Sequence, residues 1–142
     1  MTHLTPEQKQ DLIRQAFAAR ENAVAPYSHF MVGTALLGEN GVVYTGCNIE
    51  NAAYTPTNCA ERTALFKAVS EGVTKFTDIA LVGAKQGEVN TLVTAPCGVC
   101  RQALYEFCGP DLNVIMAKTE TDYIEMSLGE LLPYGFGGAN IL

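Results

Sequence analysis

Positive charge is scarce in this chain. Nine Lys and Arg stand against fifteen Asp and Glu, giving a formal net charge of −6 and a pI near 4.8. A surface of that sign repels phosphate backbones, which excludes a nucleic-acid polymer as the expected partner and leaves a small neutral or cationic ligand. Long apolar runs are missing too. Stretches such as Ile79-Ala80-Leu81-Val82 are far too short to span a membrane. Met1 to Gln10 is polar and has no apolar signal segment, so a cytoplasmic location is expected. Histidine is limited to His3 and His29, and neither falls in a His-x-Glu or His-Glu-x-x-His pattern; both read as surface residues. No repeat, linker or low-complexity stretch interrupts the sequence.

What remains is an ordinary globular composition, 48% hydrophobic and 17% charged. At 142 residues the chain is long enough for one domain with a real core and too short for two, so 1–142 is read as a single domain. The five cysteines, without a secretory signal, predict metal ligands, catalytic thiols or small core residues rather than a disulfide framework.

Thr5, Pro6 and Gln8 form the start of a helix, a capping box with proline at the first helical position. Leu12, Ile13, Ala16, Phe17 and Val24 continue it at roughly helical spacing, and Ala25-Pro26 stops it. A hairpin follows, with strands over Val32 to Leu37 and Val42 to Ile49 joined around Glu39-Asn40-Gly41. Cys59 to roughly Glu71 reads as a buried helix closed by Gly72, Ile79 to Ala84 as a strand, and Gly98 to about Phe107 as another helix. Leu112 to Ala117 and Tyr123 to Met126 are strands, and Ser127 to Leu132 is a short last helix. The order α-β-β-α-β-α-β-β-α predicts one sheet covered on both faces, largely parallel beyond the first hairpin.

Two motifs carry chemistry, Cys59-Ala60-Glu61-Arg62 and Pro96-Cys97-Gly98-Val99-Cys100, and each begins a predicted helix. On a first helical turn the sulfurs of Cys97 and Cys100 can face one point, and Cys59 brings a third from another helix. Three protein ligands with a fourth position open is the pattern of catalytic zinc; structural sites close all four. Helix N-termini favour thiolates, and Arg62 can temper their charge by donating to sulfur. Glu61, two residues from Cys59, can lie near the metal without ligating it and move protons. A redox Cys-x-x-Cys pair is the competing reading, as is a four-cysteine structural site. Cys108 lies about 12 Å along the helix axis from Cys100. Two sulfurs on one zinc lie within about 4.6 Å, so Cys108 is read as a buried small hydrophobe. Cys47, on the second strand, is the weaker further candidate.

At these residues the sequence resembles the zinc-dependent cytidine deaminases in their short homotetrameric form, with the all-cysteine ligand set. The resemblance covers nearly the whole chain, from Tyr27-Ser28-His29-Phe30 to the region of Phe136. It implies a three-layer α/β/α sandwich around a mixed five-stranded sheet and one Zn²⁺ per chain on Cys59, Cys97 and Cys100. It also implies hydrolytic deamination of cytidine and deoxycytidine to uridine and deoxyuridine in pyrimidine salvage, with release of ammonia and Glu61 as the proton shuttle. Asn48 and Glu50 match ribose-binding residues, and alternation along a strand would put them on one face. Phe30 matches the aromatic against the pyrimidine, Ala60 the position whose backbone meets the base, and Arg62 the arginine on the thiolates. Phe136 resembles an aromatic that closes a neighbouring subunit's pocket in a homotetramer, and Tyr54 a tyrosine near the subunit boundary. Met31 stands where the family commonly has proline, and the tail Tyr134-Gly135-Phe136-Gly137-Gly138 is richer in glycine. A related cytosine-nucleoside aminohydrolase, such as a blasticidin S deaminase, is the alternative enzyme. A non-catalytic zinc-stabilised interaction protein is the alternative from another class, and Glu61 argues against it.

Overall fold

The computed structural model describes residues 3–142. Thr5 opens α1 (Pro6–Arg20): its hydroxyl accepts from the Gln8 amide at 3.2 Å, and the Gln8 side chain accepts from the Thr5 amide at 2.8 Å. Leu12, Ile13, Ala16 and Ala19 form its buried stripe. The helix ends earlier than its apolar spacing predicts. Glu21, Asn22 and Ala23 donate to carbonyls three residues back, which tightens and closes the helix. Val24 lies outside it, half exposed, and its backbone pairs instead with Asn48 and Glu50.

The remaining elements are β1 (Phe30–Gly38), β2 (Val43–Cys47), α2 (Ala60–Ser70), β3 (Phe76–Lys85), α3 (Gly98–Cys108), β4 (Asn113–Ala117), β5 (Tyr123–Ser127) and α4 (Leu128–Leu131). The five strands form one sheet in the order β2-β1-β3-β4-β5. Only β3 and β4 pair in parallel; β1 is antiparallel to both β2 and β3, and β5 to β4. The sheet is therefore mixed rather than largely parallel by pairing. The reason is topological. The crossover through α2 carries the chain from β2 past β1 to β3, so two strands of like direction have an opposed strand between them. Beyond β4 only Lys118 to Asp122 separate the strands, a connection that fits a hairpin and no crossover.

Alternation along the strands divides the core in two. Ala35, Ala80, Val82, Ile115 and Ala117 meet α1, whereas Leu36, Ile79, Leu81, Val114 and Met116 meet residues of α2, α3 and α4. Helices thus cover both faces, and each fully buried Leu or Ile contributes about 1.5–3 kcal/mol. Both crossover helices, α2 and α3, start at the carboxyl ends of like-directed strands and lie on one face. Their N-termini consequently emerge at the same end of the sheet, where α/β proteins build their sites.

Candidate metal centre and substrate cavity

Cys59 and Cys97 occupy the N-cap positions of α2 and α3, with extended backbone at φ −77° and −66°, and neither side chain caps its helix. Each sulfur is free to turn toward the other. The two lie 3.8 Å apart, and the Cys100 sulfur, from the first turn of α3, lies within 4.8 Å of both. Donors about 2.3 Å from a tetrahedral zinc ion stand about 3.8 Å from one another, so the spacing suits zinc. Cys47 and Cys108 are not in the cluster. Cys108 packs against the core beneath α3, and burial pushes its thiol up to about 12.

The donor set is electrostatically prepared for a cation. The Cys59 thiol is lowered to about 5, chiefly because Cys100 donates to it, with further help from Arg62 and Cys97. The Cys100 thiol is pushed up in turn by holding that proton against Cys59, and by its burial. Arg62 Nη2 donates to the Cys59 sulfur at 3.4 Å. Such a deprotonated sulfur, backed by a guanidinium and two helix N-termini, is what a zinc ligand requires.

Glu61, on the first turn of α2, is only 4% exposed. Burial, assisted by the Cys59 charge, raises its carboxyl to about 7, so near neutral pH it can both accept and return a proton. The position of α2 depends on Gly46. A Cβ there would lie 2.4 Å from the Ala60 carbonyl oxygen and 2.5 Å from the Ala64 nitrogen, so only glycine lets the first turn of α2 rest directly on β2.

Above these groups lies a cavity of about 320 Å³, lined by Phe30, Asn48, Glu50, Cys59, Ala60, Glu61 and Cys97, a volume at the small-molecule end of ligand sites. Its polar wall lies just beyond β2, which ends at Cys47 rather than Ile49. Asn48 and Glu50 still share a face, because backbone pairings of residues 48–50 with Val24 and Asn58 hold the segment extended. Both side chains also have partners of their own. Asn48 Oδ1 accepts from the Val32 amide at 2.9 Å while its Nδ2 donates to the Phe30 carbonyl at 2.7 Å. Glu50 accepts from the Tyr27 and Ser28 amides at 3.0 and 3.1 Å and from the Ser28 hydroxyl. These bonds, the Ser28 hydroxyl first, hold its carboxyl below the usual range.

Ser28, Val32, Thr57, Asn58, Thr94 and Ala95 also line the cavity, and the motifs did not single them out. Asn58 directly precedes Cys59, and Ala95 lies two residues before Cys97; that adjacency was the available signal. Tyr54 is exposed and meets Tyr27 edge-on at 6.4 Å; both line an adjoining pocket that shares Ser28, Glu50 and Thr57 with the cavity. Phe136 is not among the cavity's lining residues and is 58% exposed. His3 and His29 are exposed.

Three sulfurs on two helix N-termini, with a buried carboxyl two residues from one of them, could hold a zinc ion, an arrangement that suits a zinc hydrolase. Residues 6–116 match the cytidine and deoxycytidylate deaminase zinc-binding region. The chain is 49% identical over 127 residues to the cytidine deaminase of Sporosarcina psychrophila, covering 89% of this chain and 90% of that one. It is 48% identical to the Halalkalibacterium halodurans cytidine deaminase, over 90% and 93% of the two chains. The crystal structure of cytidine deaminase from Burkholderia pseudomallei superposes with a TM-score of 0.80 at 46% identity, covering 96% of this chain and all of that one. The chain belongs to the cytidine and deoxycytidylate deaminase family.

Proposed function

We propose that this chain is a zinc-dependent cytidine deaminase, hydrolysing cytidine and deoxycytidine to uridine and deoxyuridine with release of ammonia. The observation that carries this reading is the buried Glu61 carboxyl, set beside three convergent sulfurs under a nucleoside-sized cavity. Cys59, Cys97 and Cys100 would hold zinc, and the chemistry it would supply there is the Lewis acidity that makes water a nucleophile near neutral pH. Glu61 would carry one proton of the attacking water to N3 of the cytosine. It would then take the second from the hydroxyl added at C4, as the carbonyl forms and the C–N bond breaks, and deliver it to the departing amine. Phe30 supports the pyrimidine ring, and the Ala60 backbone orients it. Asn48 and Glu50 meet the ribose hydroxyls, with Ser28 and the β1 backbone fixing their directions. Arg62 limits the negative charge on sulfur by donating to Cys59. No helix among the described residues is long and apolar enough to cross a membrane. The same reading takes residues 1–142 as one catalytic domain acting in cytoplasmic pyrimidine salvage.

The assembly belongs to the proposal. A homotetramer in which Phe136 enters a neighbour's cavity accounts for an aromatic that is exposed and outside its own chain's cavity. Purified protein incubated with cytidine should lose the cytidine ultraviolet band and release ammonia in equal amount; an unchanged spectrum refutes the activity. Light scattering should give four times the 15.2 kDa of one chain. Mixing Phe136→Ala with Glu61→Gln chains should restore some active sites if the aromatic acts in trans.

A further inference from the structure

The glycine-rich tail is a motif that the reaction leaves unexplained, and α3 explains it. Gly135 and Gly137 lie against the two edges of one ring. A Cβ on Gly135 would stand 3.0 Å from Cε1 and Cζ of Tyr105 and 3.1 Å from Leu132 Cδ2, and one on Gly137 would stand 2.9 Å from Tyr105 Cε2. The backbone of residues 135–137 therefore crosses the Tyr105 ring so closely that a side chain at 137 would force the ring or the tail to shift, and one at 135 would crowd it. The Gln102 side-chain amide donates to the Phe136 carbonyl at 2.8 Å, and Arg101 donates to the Leu131 carbonyl at 2.7 Å while its Nε holds the Pro96 carbonyl. Gln102 and Tyr105 are three residues apart on α3 and so share one flank of it. The tail is thus fixed to the helix rather than free, contrary to what its glycine content suggests. With both neighbouring residues turned onto Tyr105, the Phe136 side chain is left 58% exposed.

We propose that α3 serves two sites at once. Its N-terminus carries Cys97 and Cys100 of its own metal centre, and its Gln102–Tyr105 flank mounts Phe136 for presentation to a second copy of the chain. Tyr105, Gln102, Gly135 and Gly137 are positioning residues that act through Phe136. This rests on the reading of Phe136 as a residue that acts in trans.

The test is steady-state kinetics on zinc-loaded protein, with zinc content and light-scattering mass measured on each variant. Phe136→Ala, Tyr105→Leu and Gly137→Ala should each raise KM for cytidine by about tenfold or more, with the larger share of the loss in KM rather than kcat and zinc unchanged. Tyr105→Phe keeps the ring and should restore the wild-type KM. Gln102→Leu removes one surface amide and should raise KM about threefold in a fully folded chain, which decides the matter if Tyr105→Leu does not fold. A raised KM in Phe136→Ala alongside wild-type KM in Gly137→Ala and Gln102→Leu overturns the mount and leaves the role of Phe136 standing. A wild-type KM in Phe136→Ala overturns the role of Phe136 itself, and the mount with it.

Discussion

An alanine at position 46 would set a methyl carbon 2.4 Å from the Ala60 carbonyl oxygen and 2.5 Å from the Ala64 nitrogen. Both are backbone atoms of the first turns of α2, so no side chain can rotate away to make room. Ordinary contact begins near 3.4 Å, which means that α2 must lift from β2 by roughly 1 Å. Cys59 and Glu61 sit at the start of that helix and would move with it, while Cys97 and Cys100 stay with α3. A misplacement of about 1 Å at reacting groups costs on the order of 100-fold in rate. The expected result for Gly46→Ala is therefore a kcat/KM for cytidine lower by about 100-fold, with an overpacking cost of about 1–3 kcal/mol in stability. Cytidine absorbance gives the first quantity, and urea unfolding of the variant gives the second. A folded Gly46→Ala protein with kcat/KM within about threefold of wild type would refute the argument that this close approach sets the site.

Glu61→Gln keeps the shape but cannot accept a proton, so kcat should fall by about 10²–10⁴-fold with zinc and fold retained; near-wild-type turnover removes Glu61 as the shuttle. Arg62→Gln should keep zinc and slow turnover, with the rising limb of the pH–rate profile moved to higher pH, because the sulfurs lose their neighbouring cation; an unmoved profile counts against that role. In metal-stripped protein the lowered Cys59 thiol should be alkylated by iodoacetamide at a rate that rises through about pH 5 and is already maximal at pH 7. Cys108, held up near 12 by burial, should stay unmodified at pH 7, and peptide mass spectrometry distinguishes the two.

Much of this was legible in the residues. The capping box of α1, the hairpin and the element order follow from local signals, and the structure reproduces them. Strand direction was not legible, because it depends on which strand a crossover skips, and no local residue records that β1 lies between β2 and β3. Val24 shows the same limit. Its spacing fits the α1 stripe, but pairing with Asn48 and Glu50 claims its backbone. Within the site, the three sulfurs and Glu61 were readable because ligand chemistry needs those residue types at helix starts. Ser28 and Thr94 were not, since a polar loop residue resembles any other until tertiary contacts bring it to a wall. Nor was the packing of the tail legible: the glycines at 135 and 137 lie close against Tyr105, a contact that only the fold reveals.

Stripping the metal and restoring it tests the whole account most directly. Protein dialysed against a chelator should stop deaminating cytidine. Added zinc should bring activity back in proportion to metal bound, reaching saturation at one ion per chain in wild type. Cys97→Ala should neither retain the ion nor recover. Full activity in protein shown by elemental analysis to hold no metal would contradict the account at its centre.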